Sequence, residues 1–262
     1  MSRRTKTRSK QLALDRYDTD KIRNHYLERY DPIVQPWVEK QIKLLEIGVQ
    51  RGGSLLLWRD YFPLGTIVGI DINLPQGFSP GERIEVFEGS QADPLFLSEV
   101  ANKVAPEGFD IIIDDASHIG ELTKIAFWHL FDHHLKPGGL YVIEDWGTGY
   151  WDDFPDGRSV SHRVSASLRL QGQVLSLLAA VRLQRRLLSF LKHHPKIVYS
   201  AKTPFQCHSY GMVGFVKELV DEQGAADMTM TRSNNKPKRN SKFESILIVP
   251  SIVFVTKASS FK

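Results

Sequence analysis

The chain has little cysteine and no long apolar run. Cys207 is its one cysteine among 262 residues, so an internal disulfide is excluded. This scarcity is typical of a reducing compartment, and we expect a cytoplasmic protein. No apolar stretch reaches the roughly 20 residues of a membrane-spanning helix, and the N-terminal residues lack a signal-peptide pattern. The length and apolar content predict one domain over residues 17–262.

Basic charge is concentrated at the N-terminus. The formal net charge is +4, and five lysines and arginines fall within the first ten residues, where there is no acid. The body of the chain is therefore not basic. We predict that residues 1–16 form a disordered, solvated basic tail, and we expect no nucleic-acid partner. Contact with an acidic lipid surface is the alternative for this tail.

Apolar runs alternate with helix-length segments through the first half of the chain. This alternation predicts an α/β fold with a doubly wound, mostly parallel, Rossmann-like sheet. The segment Ser245–Lys257 is rich in β-branched residues and would supply the last strands, broken at Pro250. The runs that predict the first three strands are Lys43–Val49, Thr66–Ile72 and Arg83–Glu88.

The stretch Asp110–Asp145 reads as strand, helix and strand, and both strands end in acids. Asp114 and Asp115 follow the first apolar run, and Glu144 and Asp145 follow the second. In an open parallel sheet, ligands bind beyond the carboxyl ends of the strands. The two pairs of acids are therefore predicted to meet at one edge of the sheet.

A strand, a glycine-containing turn and a helix at residues 43–61 predict a nucleotide-type cofactor. The G-x-G-x-x-G spacing is missing because Gln50 stands where a second glycine would be, and the Tyr-x-x-x-Lys pair of short-chain dehydrogenases is also missing. Glu46 could attract a cationic amino group, and Asp71 could bind ribose hydroxyls. The polar turn Gly89–Asp93 could meet an adenine edge. S-adenosylmethionine is favoured over NAD.

The acids of the central stretch are suited to magnesium or manganese, which prefer oxygen ligands. We predict that Asp115, Glu144 and Asp145 hold the metal. Because side chains alternate along a strand, neighbouring acids cannot all point alike, and Asp114 is assigned to structure. His118 is the candidate general base, since a neutral histidine suits proton removal near neutral pH.

Several motifs together resemble a known enzyme family. The motifs LLEIGVQRGGSLLLW, VGIDIN, the Gly-Ser-Gln turn, IDDASH and GGLYVIED are similar to those of metal-dependent class I methyltransferases that O-methylate natural-product sugars. Macrolide-glycoside, tetracenomycin-rhamnose and glycopeptidolipid methyltransferases are examples, and the cephalosporin hydroxylase group is related. The resemblance covers roughly Thr19 to Trp146.

The resemblance implies a magnesium-dependent S-adenosylmethionine O-methyltransferase. Its acceptor would be a sugar hydroxyl of a glycosylated natural product or glycolipid. The family's metal ligands fall on Asp115, Glu144 and Asp145, its catalytic base falls on His118, and Asp115 also counts as catalytic. The implied cofactor contacts are Thr19, Glu46, Gly48, Gly52, Asp71, Ser90 and Gln91.

Three regions keep more than one interpretation. The helical segment from Thr19 to Trp37 could pack aromatic side chains on the core or form a flap over the cofactor. The aromatic, acidic segment Trp146–Arg158 could line a substrate entrance or form a surface loop. A helical insertion is predicted at residues 146–206. Its amphipathic part, Ser161–Lys192, could pack on the core, form a lid, mediate homo-oligomer formation or lie on a membrane surface.

Two other functions remain open from the sequence. A catechol-type O-methyltransferase would take its metal ligands from the same strand ends, and Trp146, Tyr150 and Trp151 could stack on an aromatic diol. A non-catalytic binding module would use the basic tail to bind acidic partners. Methylation of nucleic-acid bases is not favoured, because no Asn-Pro-Pro-Tyr motif follows the fourth strand.

Overall fold

The structure, a computed structural model, describes residues 7–160, 208–230 and 236–259. Seven strands of this part of the chain form one sheet. They are β1 (Lys43–Ile47), β2 (Thr66–Asp71), β3 (Ile84–Glu88), β4 (Phe109–Asp114), β5 (Leu135–Glu144), β6 (Phe243–Val249) and β7 (Ile252–Lys257).

The strands lie in the order β3-β2-β1-β4-β5-β7-β6. The first five in sequence pair in parallel, while β7 runs antiparallel between β5 and β6. The chain order reverses at β1, which has β2 on one side and β4 on the other. This switch point opens a crevice beyond the carboxyl ends of the strands. The predicted doubly wound, mostly parallel sheet is confirmed.

Helices cover both faces of the sheet. None of the helices in the described ranges is long and apolar enough to cross a membrane. A further helix begins within residues 155–160. Those with both ends described are α1 (Asp20–Arg23), α2 (Leu27–Val34), α3 (Gly53–Tyr61), α4 (Pro94–Val104), α5 (Gly120–His133), α6 (Gly211–Gln223) and α7 (Ala225–Thr229), with short 3-10 turns at Ser9–Gln11, Leu14–Arg16, Gln35–Trp37 and Trp146–Tyr150.

The alternation of side chains along the central strands divides the core in two. Ile112 of β4 packs in a layer with α4, α5 and α6, whereas Ile111 and Ile113 pack with α2 and α3. Tyr141 of β5 belongs to the first layer and Val142 to the second. Side chains of successive residues point to opposite faces of a sheet. The same alternation therefore decides which helices each strand-end acid faces.

The fifth strand begins earlier than its sequence suggests. The Lys-Pro-Gly-Gly run appears as a turn in the sequence, but β5 starts at Leu135, which pairs with Phe109. The register then shifts, and regular pairing resumes at Leu140. Gly138 takes a φ of 74°, which glycine adopts without strain. The run is an irregularity within the strand rather than a break before it.

The prediction of a disordered tail over residues 1–16 is wrong for residues 7–16, while residues 1–6 lie outside the described residues. Arg8 donates hydrogen bonds to the carbonyl oxygens of Asp60 and Tyr61. The buried Ser9 is bonded through both its backbone nitrogen and its hydroxyl to Asp31. The polar, basic composition of this segment predicts disorder. The segment is ordered because its polar residues form hydrogen bonds with residues far along the chain, and composition does not show these bonds.

Several expectations concern residues beyond the described ranges. The amphipathic pattern of residues 161–192, most of the predicted insertion and Cys207 lie outside them. The N-terminal segment is described, and it is not one continuous helix. It is divided into α1 and α2 at His25, whose φ is 56°. Thr19 is the N-cap of α1, and its hydroxyl oxygen accepts from the Lys21 amide.

We predict that Asp31→Asn destabilises the fold without changing the arrangement of the acids at the carboxyl ends of the strands. Asp31 accepts from Ser9 and from the Tyr61 hydroxyl at 2.5 and 2.6 Å. Burial alone would raise the pKa of Asp31, but these bonds outweigh it and lower the pKa. The carboxylate therefore stabilises the fold above about pH 4, and this contribution disappears as the pH falls. Denaturant unfolding at pH 7 should show a loss of about 2 kcal/mol.

The exposed acid Asp15 provides the matched control. Asp15→Asn should leave the free energy of unfolding within about 0.5 kcal/mol of wild type. The difference between Asp31→Asn and wild type should shrink below about pH 4. Equal stability of the two variants at pH 7 would contradict the role given to Asp31.

Candidate active site

A cavity of about 590 Å³ lies over the carboxyl ends of β1, β2 and β4. This size is typical of a small-molecule site. Its wall combines the turn after β1, the end of β2, the loops after β3 and β4, and residues 18–20 from the N-terminus. Of the eleven predicted site residues, eight line it: Thr19, Gly48, Asp71, Ser90, Gln91, Asp115, His118 and Asp145.

Asp71, at the end of β2, fixes the turn that follows β1. One of its carboxylate oxygens, Oδ2, accepts from the amides of Val49 and Gln50 at 2.8 and 3.0 Å. The other oxygen, Oδ1, accepts from the Asn73 amide. The side chain lies on the cavity wall, where an acid after the second strand is suited to binding ribose hydroxyls.

Two glycines allow close approaches that a side chain would prevent. Gly48 has a φ of +100°, and a Cβ there would lie 2.1 Å from the carbonyl oxygen of Asp115. Gly52 has a φ of +81°, and a Cβ would lie 2.2 Å from the ring of Phe78. Gly48 lines the cavity, whereas Gly52 does not. Gly48 therefore lets the turn after β1, called the cofactor turn below, lie against the loop that carries Asp115.

The loop after β3 is held by the loop after β4. The Gln91 side-chain oxygen accepts from the Ser117 amide at 3.1 Å, and the Ser90 hydroxyl accepts from the Ala92 amide. Behind Gln91 lies Asp114, buried beneath the Tyr141 hydroxyl at 3.3 Å. Burial raises the pKa of Asp114 to about 7. Asp114 does not line the cavity, which agrees with its assignment to structure.

Three side chains that follow β4 and β5 converge on the wall of the cavity. One potential ligand atom from each of Asp115, His118 and Asp145 lies within 4.8 Å of the others. His118 Nε2 is 3.9 Å from Asp145 Oδ2. His118 and Asp145 both have left-handed backbone conformations, with φ of 53° and 54°. Such conformations are uncommon outside glycine and concentrate at functional sites.

Glu46 and Glu144 were predicted to contact ligands, but the structure places both behind the cavity wall. Glu144 is 1% exposed, and Glu46 is fully buried. Glu46 accepts from the Ser54 hydroxyl and the Trp58 indole nitrogen. Each glutamate occupies a strand position whose side chain points to the face of the sheet covered by α2 and α3. Burial raises the pKa of both carboxyl groups.

A buried lysine from the N-terminal segment connects these acids. Lys21 Nζ lies 2.6 Å from Asp115 Oδ2, 2.7 Å from Glu144 Oε2 and 3.3 Å from Glu46 Oε1. Burial alone would lower the pKa of Lys21, but the three carboxyl groups raise it well above its ordinary value. Lys21 is therefore an ammonium ion. The Tyr30 hydroxyl donates to the other oxygen of Glu144.

The segment after β5 is held next to His118 by a buried acid. Asp156 accepts from the amides of Gly120 and Met212 at 2.8 and 2.7 Å, at the starts of α5 and α6. Negative charge is favourable at helix N-termini. The Phe154 ring then meets the His118 ring edge-on, with centroids 5.9 Å apart. Trp151 is 55% exposed beyond this contact, as suits the predicted entrance.

The sequence interpretation missed Lys21, Tyr26 and Tyr30 as residues of this region. Tyr26 donates from its hydroxyl to Asp145 Oδ1. The spacing of the two tyrosines, one helical turn apart, correctly indicates a buried face. The pattern carries no information about the strand-end acids, which lie more than 90 positions later in the chain.

Comparison with curated proteins identifies relatives among sugar O-methyltransferases. The chain is 35% identical over 206 residues to mycinamicin VI 2''-O-methyltransferase of Micromonospora griseorubida, covering 76% of this chain and 49% of that protein. It is 38% identical over 151 residues to 8-demethyl-8-alpha-L-rhamnosyl tetracenomycin-C 2'-O-methyltransferase of Streptomyces olivaceus. That match covers 55% of this chain and 39% of the Streptomyces protein. The chain thus spans half or less of these relatives. No protein-family model matches it.

Among solved structures, the chain is similar to the MycE methyltransferase from the mycinamycin biosynthetic pathway in complex with Mg and SAH. The TM-score is 0.60 and the identity 28%, over 88% of this chain and 49% of that one. The relatives and this structure confirm the resemblance that the motifs indicate.

We predict that Asp71→Asn weakens binding of S-adenosylhomocysteine at least tenfold. The amide keeps one acceptor oxygen where Asp71 uses two to accept from Val49, Gln50 and Asn73, and it would remove the charge facing the predicted ribose position. Isothermal titration calorimetry measures the affinity. Glu88, which pairs with Asp71 at the end of β3, does not line the cavity and provides the control. Equal affinities of Asp71→Asn and Glu88→Gln would contradict this role.

Proposed function

We propose that this chain, a relative of sugar O-methyltransferases of macrolide and tetracenomycin pathways, transfers the methyl group of S-adenosylmethionine to a sugar hydroxyl with the help of magnesium. The acceptor is a small-molecule glycoside of a natural product or a glycolipid. One relative acts on an alpha-L-rhamnosyl compound according to its name. The chain spans about half of the mycinamicin VI 2''-O-methyltransferase. The cytoplasmic setting, the contact with membranes and the oligomeric state stay predictions.

The observation that carries this proposal is the convergence of Asp115, His118 and Asp145 at the edge of the cavity. The donor set is suited to a divalent cation, because two carboxylates supply the hard oxygen ligands that Mg²⁺ prefers. Charge supports the same conclusion. One ammonium, that of Lys21, faces three carboxyl groups, and Asp145 adds a fourth whose pKa is raised by burial.

Asp115 and Asp145 would hold the metal, and Glu144 would join them only by sharing an oxygen with Lys21 or Tyr30. Bound there, magnesium lowers the pKa of an acceptor hydroxyl and orients it. His118 is a nitrogen donor within the same group of atoms, so it can act as a ligand or as the base. We assign it as the base because magnesium prefers oxygen and neutral imidazole suits proton removal.

Gly48, Asp71 and Ser90–Gln91 would hold the cofactor along the wall of the cavity that also contains His118. In the transfer, the acceptor oxygen forms a bond to the methyl carbon while the carbon–sulfur bond breaks. The hydroxyl proton passes to His118 Nε2, and the sulfonium becomes a neutral thioether. The chain contributes mainly the alignment of the two reactants and a site from which water is excluded.

We predict that His118→Ala lowers kcat at least a hundredfold while the affinity for S-adenosylhomocysteine stays within threefold of wild type. General-base catalysis contributes about 10²–10⁴-fold, and the wall around β1 and β2 is unchanged. His133, at the opposite end of α5, is exposed and provides the control. His133→Ala should keep wild-type turnover. Full activity of His118→Ala on a rhamnoside acceptor would exclude the base assignment.

We also predict that EDTA stops turnover and that added magnesium restores it. The proposed sugar hydroxyl is a weak acid that needs a Lewis acid beside it. The assay follows transfer of a labelled methyl group to a panel of rhamnosides and catechols. Undiminished transfer in EDTA would refute the metal role, and transfer to catechols alone would favour the catechol-type alternative.

A further inference from the structure

We propose that Lys21 and Tyr26 are positioning residues of the metal site, each holding one of the carboxylates that would bind the ion. The inference rests on the proposed function, because it assumes that Asp115 and Asp145 bind a divalent cation. It adds to that function two residues from a segment that precedes the whole sheet. Their contacts with the two acids are direct, and both side chains are buried.

Lys21 restrains Asp115 from beneath the cavity. Its ammonium group has no exposure to solvent and lies 2.6 Å from Asp115 Oδ2. The Asp115 side chain is still 19% exposed, so the carboxylate remains accessible from the cavity. Asp115 follows β4, where its backbone amide donates to the Ile47 carbonyl at 2.9 Å, but this bond leaves the rotation of its side chain free. The ion pair therefore fixes a carboxylate that the sheet alone does not fix.

Tyr26 forms a hydrogen bond with one of the two carboxylate oxygens of Asp145. Its hydroxyl donates to Oδ1, while Oδ2 lies 3.9 Å from His118 Nε2. The ring is 3% exposed, and the phenol hydroxyl is the donor in the hydrogen bond to the carboxylate. Tyr26 thus takes one oxygen and orients the other toward the point where Asp115, His118 and Asp145 converge.

The same segment also forms part of the cofactor wall. Thr19 and Asp20 line the cavity, and the backbone of Asp18 lies so close to α3 that a Cβ on Gly53 would fall 2.0 Å from its carbonyl oxygen. The segment therefore contacts the cofactor turn at one end and both carboxylates at the other. Partners that orient metal ligands in this way typically account for about 10–100-fold in metal affinity or activity.

Packing alone is the competing explanation, since buried aromatic side chains also stabilise the core. Tyr26→Phe distinguishes the two, because it keeps the ring and removes only the hydroxyl bonded to Asp145. Tyr17→Phe is the matched control. Tyr17 lies in the same N-terminal region, and its hydroxyl donates to a carboxylate away from the cavity, Asp60 Oδ2, at 2.9 Å. Both variants remove one tyrosine–aspartate hydrogen bond.

The experiment titrates Mg²⁺ alone into the chain of residues 1–262 by calorimetry, with Mn²⁺ binding followed by electron paramagnetic resonance. We expect at least tenfold weaker binding for Tyr26→Phe and binding within twofold of wild type for Tyr17→Phe. Affinity for S-adenosylhomocysteine should be unchanged in both. Lys21→Met removes a positive charge as well as a restraint and leaves buried acids unpaired, so Tyr26→Phe is the decisive variant.

The outcomes separate this inference from the proposed function. Wild-type protein that binds neither ion would overturn the metal site and this inference together. Wild-type binding with an unchanged affinity in Tyr26→Phe would overturn this inference and leave the proposed function standing. Equal weakening by Tyr17→Phe and Tyr26→Phe would also overturn it, because the position of the lost bond would then not matter.

Discussion

The site depends on one buried ammonium group. Lys21 Nζ contacts a carboxyl group from each of three places, namely Glu46 on β1, Asp115 after β4 and Glu144 on β5. Buried carboxylates are costly unless they are paired, and breaking such a pair leaves an uncompensated charge. The sheet edge therefore holds its acids together with the help of the N-terminal segment, which supplies Lys21. These carboxyl groups outnumber the one ammonium group, and a divalent ion bound at the edge would favour their ionised forms.

The topology of the sheet explains why the chemistry gathers at this edge. The order of the strands reverses at β1, so the loops after β1 and β4 diverge and open the cavity. Gly48 lets those two loops touch at their base, where its missing side chain would meet the carbonyl of Asp115. The cavity wall beyond β1 and β2 and the convergent side chains of Asp115, His118 and Asp145 are consequently parts of one continuous surface.

Much of this was predictable from the sequence. Local patterns are sufficient to identify strands whose ends carry acids, and eight of the predicted site residues line the cavity. Glu46 and Glu144 are buried behind the cavity wall, on the face of the sheet opposite Asp114 that strand alternation gives them, and their roles as ligands stay predictions. Lys21 and Tyr26 could not be assigned, since their partners lie 94 and 119 positions away. Contacts between residues so far apart depend on the topology of the fold, and a local sequence pattern does not predict them. The tail was misjudged for the same reason, since Ser9 finds Asp31 only in the fold.

The central claim is that Asp115 and Asp145 bind a divalent ion beside the cofactor. A crystal structure of the protein with Mn²⁺ and S-adenosylhomocysteine, with anomalous scattering collected for manganese, tests it most directly. We expect one anomalous peak within bonding distance of both carboxylates, the nucleoside over β1 and β2, and Tyr26 still bonded to Asp145. Density for the nucleoside with no manganese at this edge, or with manganese bound only elsewhere, would contradict it.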